Sequence, residues 1–288
     1  MAINYDQLMS LKKRDERFAY GDREVMLYAL GIGMGADPMD ERELQFVNEA
    51  SLLERPLKVV PTYGAVMARN ADPSLQELGL NAMMVLDGGR DMTFHKPLPA
   101  QANITGHSEV IGAFDKGKDK GAVVMIRTVL CNEKGEKLAT RVSTRFARGD
   151  GGFGGPSEGQ PAPHEMPTRA PDQSIDIPTR LDQALVYRLT GDRNPLHSDP
   201  EFARRAGFSR PILHGMCTYG VTCRGVLQTY ADYDPAAFKQ HVVRFSAPVY
   251  PGDTVTMDLW KDGNVISFEA RVKARNVTVI KNGMSVLG

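Results

Sequence analysis

Residues in the two halves of this chain match at a nearly fixed offset, and that repetition limits the possible folds more than any composition figure. Phe94 corresponds to Phe245, Pro97 to Pro248, Leu98 to Val249 and Ile104 to Val255, each pair 151 positions apart. Upstream, Tyr28 corresponds to Tyr187 and Leu30 to Leu189 at an offset of 159, which places extra residues in the first half between Leu30 and Phe94. Self-similarity at a fixed offset marks a duplicated structural unit. The elements agree. Apolar-rich runs at 84–86, 91–95, 103–114, 122–131 and 137–146 read as strands, and so do 241–246, 254–261, 265–275 and 278–286. Lys134-Gly135 and Asp262-Gly263 supply hairpin turns. Helical patterning falls at 22–30, at 59–68 and from Ile212 to about Tyr230. Residues 36–56 read as an acidic loop with a helical turn near 41–48. From Gly149 to Asp172 the chain is rich in Gly, Pro and Ser and reads as a linker. A long apolar helix and a set of antiparallel strands in each half bury their apolar surfaces best with the sheet wrapped around the helix, an α+β arrangement.

Lys plus Arg number 35, as do Asp plus Glu, so the formal net charge is zero. A nucleic-acid or anionic-membrane partner calls for a basic surface, and none is expected here. Lys12-Lys13-Arg14 reads as a solvated helix face. No apolar run approaches a membrane span, and the N-terminus lacks an apolar signal core. Ser285-Val286-Leu287-Gly288 is not a peroxisomal address. Three cysteines form no even, closely spaced set, and Cys217 and Cys223 are expected to pack as small apolar groups. A reducing cytoplasm is the expected compartment.

Between Leu181 and Tyr230 the pattern changes to polar chemistry. Thr179 with Asp182 forms a capping-box pattern, and Leu181, Leu185 and Leu189 recur at helical spacing, predicting one buried helix face. Gly191 is suited to end that helix in a left-handed conformation, and Pro195 blocks its continuation. Asp199-Pro200 starts another helix and Gly207 stops it. The polar bend between them gathers Asp192, Asn194 and His197, a carboxylate, an amide and an imidazole able to hold one water. Seventeen residues after His197, His214-Gly215 opens the long helix, whose first N–H groups are free to meet a developing oxyanion. Such a set is what addition of water to a conjugated thioester needs. Asp and Asn beside Pro are also ordinary turn residues. His197 with Asp199 lacks a third ligand at a recognisable spacing, so no metal is expected.

The string Tyr187 to Gly215, with Asp192-Arg193-Asn194-Pro195-Leu196-His197 at its centre, resembles the hydratase 2 motif of the MaoC-like, R-specific enoyl-CoA hydratases. The likeness extends to Arg23–Gly33, Lys96–Pro99, Gly151–Gly155, Arg244-Phe245 and Pro248–Gly252. It implies a double hot-dog fold, two copies in one chain packed as a pseudo-dimer. The first copy, 1–150, is then a degenerate acyl-chain-binding unit, 151–175 a linker, and 176–288 the catalytic unit. The resemblance assigns Asp192 and His197 as the catalytic pair, Asn194 as their positioner and the Gly215 amide as oxyanion donor. It suggests substrate contacts for Arg193, Pro195, Leu196, Phe245 and Lys116. It also points to Asp87-Gly88-Gly89-Arg90, which departs from the family's His-Gly-Glu-Gln. The substrate would be an acyl-CoA thioester, no cofactor would be needed, and a homodimer is common in the family. The first copy has no counterpart of the bend, so the chemistry is expected from the second half alone.

Other readings stay open on sequence. Lys116 is equally a solvated hairpin lysine, and Phe245 a core aromatic. His214 is expected to pack or cap at the helix start, while His95, His107, His164 and His241 read as surface or strand residues. Arg210 and Arg244 could meet phosphates. A hot-dog thioesterase and a non-catalytic acyl-binding module are the rival functions.

Overall fold

The computed structural model describes residues 3–50 and 55–288. The first half contributes β1 (Lys12–Tyr20), β2 (Val85–Phe94), β3 (Ala102–Asp115), β4 (Ala122–Asn132) and β5 (Lys137–Ala147). The second contributes β6 (Gln173–Pro178), β7 (Phe238–Phe245), β8 (Thr254–Asp262), β9 (Val265–Val272) and β10 (Val277–Leu287). All ten strands form one antiparallel sheet in the order β1-β3-β4-β5-β2-β7-β10-β9-β8-β6. The order is a palindrome about the β2–β7 pair: an edge strand, a three-strand meander and a seam strand on each side. This is the sequence repeat in three dimensions. Two separate sheets were expected. Instead Gly89–Thr93 hydrogen-bond along Gln240–Arg244, so the halves share one sheet. Pairing the seam strands leaves each half only one unpaired edge.

β1 was missed in the sequence. Lys12-Lys13-Arg14 begins this exposed edge strand instead of a helix face, and Lys12, Arg14 and Arg127 gather around Glu109. Charge on an edge strand discourages pairing with other chains. β6 likewise starts at Gln173, within the expected linker. The rest of 149–172 lacks regular structure, as its composition implies. Asp115 anchors the linker's start by accepting from the N–H groups of Gly152 and Gly154 at 2.7 and 2.8 Å.

The helices lie in the order α1 (Tyr5–Ser10), α2 (Asp22–Gly31), α3 (Glu41–Leu44), α4 (Gln183–Tyr187), α5 (Pro200–Arg205) and α6 (Gly215–Tyr230). The loop expected over 36–56 carries α3 and falls partly outside the described residues. α2 and α4 are the repeat-related pair. Tyr28 and Tyr187 are fully buried with ring centroids 6.0 Å apart, and Gly31 lets α4 approach closely. α6 is the long buried helix. Its Cys217 and Cys223 are packed inside, as expected, and it starts at Gly215 instead of Ile212.

Three helical expectations fail. Residues 59–68 are buried but form only a 3₁₀ turn over Pro61–Ala65, so the first half has no long helix among the described residues. The Arg141 guanidinium accounts for this locally, donating to the carbonyls of Ala65 and Met67 at 3.0 and 3.3 Å. In α4, Thr179 does not cap; its hydroxyl donates to Asp253 O at 2.7 Å. The leucine stripe also faces outward, with Leu181, Leu185 and Leu189 exposed by 80, 53 and 47%. Gln183, Ala184 and Tyr187 make the buried face instead.

Candidate active site

The bend at 191–198 is built as its sequence requires. Gly191 sits at φ 117°, ending the preceding 3₁₀ turn in the left-handed region where glycine carries no steric penalty. Asn194 then caps the 3₁₀ turn Pro195–His197, its side-chain carbonyl accepting from Leu196 N at 3.0 Å. Asp199 caps α5 by accepting from Glu201 and Phe202 N–H groups. Caps on both sides fix the loop between two rigid ends.

His197 is buried on this loop, and its Nδ1 lies 2.9 Å from Ile212 O. A carbonyl can only accept, so Nδ1 carries the proton and Nε2 presents a lone pair. His214 Nε2 meets Asp192 O at 3.2 Å, which by the same argument leaves Nδ1 as the lone-pair nitrogen. That Nδ1 is buried without a partner among the described residues. The two imidazoles stack with centroids 3.7 Å apart. Burial pushes the His197 pKa below the ordinary value. It pushes His214 well below too, helped by the neighbouring His197. Both rings are therefore neutral at neutral pH.

Burial alone would raise the Asp192 carboxyl, but the Arg69 guanidinium outweighs it and holds the pKa below the usual carboxylate value. Arg69 Nη2 donates to Asp192 Oδ2 at 2.7 Å. Arg69 was missed in the sequence. It belongs to the first half, which therefore reaches the bend that the sequence drew from the second half alone. One ligand atom each from Asp192, His197 and His214 lies within 4.8 Å of the others, the span of one bridged water. Asp199, weighed beside His197 as a ligand in the sequence, lies outside this group and caps α5.

Gly215 is the first residue of α6, and the helix's first bonds run from Cys217 N and Thr218 N to His214 O at 3.0 and 3.1 Å. The Gly215 N–H precedes both donors and makes no bond within the helix. The Phe245 ring faces Gly215, with 3.6 Å between its edge and where a Cβ would stand. Gly215 and Phe245 therefore meet. Asn194 does not hold the His197 ring, which the Ile212 carbonyl orients; Asn194 shapes the loop. Arg193 and Pro195 are exposed, while half-buried Leu196 accepts from Ile212 N at 3.3 Å.

The remaining predicted contacts line a groove of about 910 Å³, with Asp87, Gly88, Arg90, Lys116 and Phe245 in its wall and residues 158–164 of the linker across it. Asp87 is paired with Arg145 and with Arg90 at 3.5 Å, and its charge is felt at Arg69 and His197. Lys116 donates to Ser157 O and so ties the linker to the sheet. Arg244 also lines the groove, whereas Arg210 stacks on Tyr250. The first half also buries the side chains of Arg90 and Arg141, the latter paired with Asp72.

Comparison with known proteins agrees with this geometry. Residues 163–283 match the MaoC like domain and 18–149 the MFE-2 hydratase 2 N-terminal domain. The chain is 37% identical to the enoyl-CoA hydratase ChsH3 of Mycobacterium tuberculosis, covering 100% of this chain and 99% of that protein. It is 35% identical to the peroxisomal enoyl-CoA hydratase 2 of Arabidopsis thaliana, covering 99% and 96%. A MaoC-like dehydratase structure from Phytophthora capsici superposes with a TM-score of 0.86 at 32% identity, covering 99% of each chain. At 13% identity, a double hot-dog protein from M. tuberculosis shares the fold, with a TM-score of 0.55 over 98% of each chain. With its palindromic sheet, its capped Asp-His bend and these relatives, the chain belongs to the MaoC-like, hydratase 2 family of enoyl-CoA hydratases and has that family's double hot-dog fold.

Proposed function

We propose that the bend at Asp192–His197 catalyses reversible syn addition of water to a trans-2-enoyl-CoA, giving the (R)-3-hydroxyacyl-CoA. The observation that supports this is an ionised carboxylate and a neutral imidazole lone pair within reach of one water, with α6 starting directly after the His214 ring that stacks on His197. A water between Asp192 and His197 Nε2 loses a proton to Nε2, and its oxygen bonds C3 of the substrate. The C2–C3 π electrons move onto the thioester oxygen, which the Gly215 N–H stabilises. Asp192 offsets the charge on the transient imidazolium. The enolate then takes that proton at C2, restoring His197. Because neither group starts protonated, the proton delivered to C2 is the one taken from water, so both additions occur on one face. Water, acid–base exchange and an oxyanion donor complete the reaction, and no cofactor is part of the proposal. Asp87, Gly88, Phe245, the exposed Arg193 and Pro195, and half-buried Leu196 are proposed to contact the acyl-CoA.

Loss of enoyl absorbance with chiral analysis of the product tests this. Asp192→Asn and His197→Ala should each lower kcat by roughly 10²- to 10⁴-fold with the fold intact. Full activity in either variant removes the assignment. Release of free CoA without hydration would instead mark a thioesterase, and tight enoyl-CoA binding without turnover a binding module.

Cytoplasmic placement and a homodimer belong to the same proposal. No helix among the described residues is long and apolar enough to cross a membrane. The exposed stripe of Leu181, Leu185 and Leu189 is apolar surface of the kind a second copy covers. Light scattering at the 31.7 kDa monomer mass would remove the dimer.

A further inference from the structure

Arg69 reaches the site from the other half of the molecule, and its carrier loop is built to hold it there. Ala68 stands at φ 55°, a left-handed conformation that a non-glycine residue adopts only at a steric cost. Arg141, fully buried, fastens the loop on both sides of that residue. It donates to the carbonyls of Ala65 and Met67 and to the Asp72 carboxylate at 2.5 Å. Thr128 also donates to Asp72 at 2.5 Å. The aliphatic stem of Arg69 packs against Gly191, its Cδ lying 3.8 Å from where a Cβ would stand. Its Nη2 binds one oxygen of Asp192, and its Nη1 is buried with no partner among the described residues. Around the pair stand His197 and His214, Asp87 on β2 and Tyr187 on α4.

We propose that Arg69 is a positioning residue for the acid–base site, holding the Asp192 carboxylate aimed and ionised from across the fold, so that the first half takes part in the chemistry. A single bond to Oδ2 leaves Oδ1 turned toward the bend, where it accepts only a long 3.3 Å bond from Asn194 N. Oδ1 is then the oxygen available to a water. The kinetic part of this proposal rests on the hydratase reading; the effect on the carboxylate does not.

The test compares the intact wild-type chain with Arg69→Gln and Arg69→Lys. One readout is the ¹³C titration of the Asp192 side-chain carboxyl, assigned with Asp192→Asn and made without substrate. The other is kcat and KM for an enoyl-CoA against pH. In Arg69→Gln the carboxyl midpoint should move to higher pH. Its kcat should fall about 10- to 100-fold, with KM changed by less than about threefold. Arg69→Lys should recover much of both. An unmoved midpoint in the Gln variant overturns the proposal, whatever the activity. A raised KM with unchanged kcat also overturns it, since Arg69 would then bind substrate and not aim Asp192. If wild type hydrates no enoyl-CoA, the hydratase reading falls, and the titration still decides whether Arg69 governs Asp192.

Discussion

Neutral, buried histidines give this protein a defined response to acid. His241 is fully buried on β7, between Ser285 Oγ at 2.6 Å and Thr222 Oγ1 at 3.1 Å, and burial pushes its pKa down to about 3. His214 is buried and shifted in the same direction. In the unfolded chain both would titrate near the ordinary value of 6.5. Below that pH the unfolded state binds protons that the folded state refuses, so stability falls as pH falls. The slope reaches up to about 1.4 kcal/mol per pH unit for each such histidine. Thermal melts between pH 7 and 4 should show Tm dropping below about pH 6.5. His241→Gln should flatten that drop, and an unchanged slope would count against the account. Activity follows the same logic at His197. Its neutral form persists below the ordinary histidine range, so the acid limb of kcat/KM is expected below pH 6.5.

At the scale of elements, α6 positions the site because it can lie close to its neighbours. A Cβ on Gly220 would stand 2.4 Å from Ile32 Cγ2 and 2.8 Å from the Tyr28 hydroxyl. Ile32 follows α2 directly and is fully buried, so it has nowhere to move. Gly220→Ala should therefore destabilise by about 1–3 kcal/mol despite alanine's better helix propensity, because overpacking outweighs propensity. It should also lower kcat by displacing Gly215 at the helix start. A denaturant melt with an unchanged midpoint would show that α6 has slack. α4 teaches the opposite lesson. Its leucine spacing is helical, yet a helix of five residues shows one buried face, and Tyr187 and Ala184 take it.

At the scale of the molecule, the β2–β7 seam joins the halves and fixes Arg69 relative to Asp192. At Gly89 the strands come so close that a Cβ would stand 2.9 Å from Val243 O. Gly89→Val should open the seam, costing about 1–3 kcal/mol. It should also lower activity by moving one half against the other, which a melt and an assay on the same sample would report. Retained stability and activity would mean that the seam does not set the site.

The sequence by itself determined the duplication, eight of the ten strands at least in part, and the bend with its caps. Those depend on local chemistry: alternation, hairpin glycines, a left-handed Gly191, Asp and Asn next to Pro. The meeting of Asp192 with His197 was legible for the same reason, since both lie within one string. Tertiary structure alone decided the single ten-stranded sheet, the outward leucines of α4 and the missing helix of the first half. It also decided the buried roles of His214 and His241. Arg69 is the clearest case. Nothing in the residues around it marks a partner 123 positions away, because an ion pair between halves is set by where the seam places two loops.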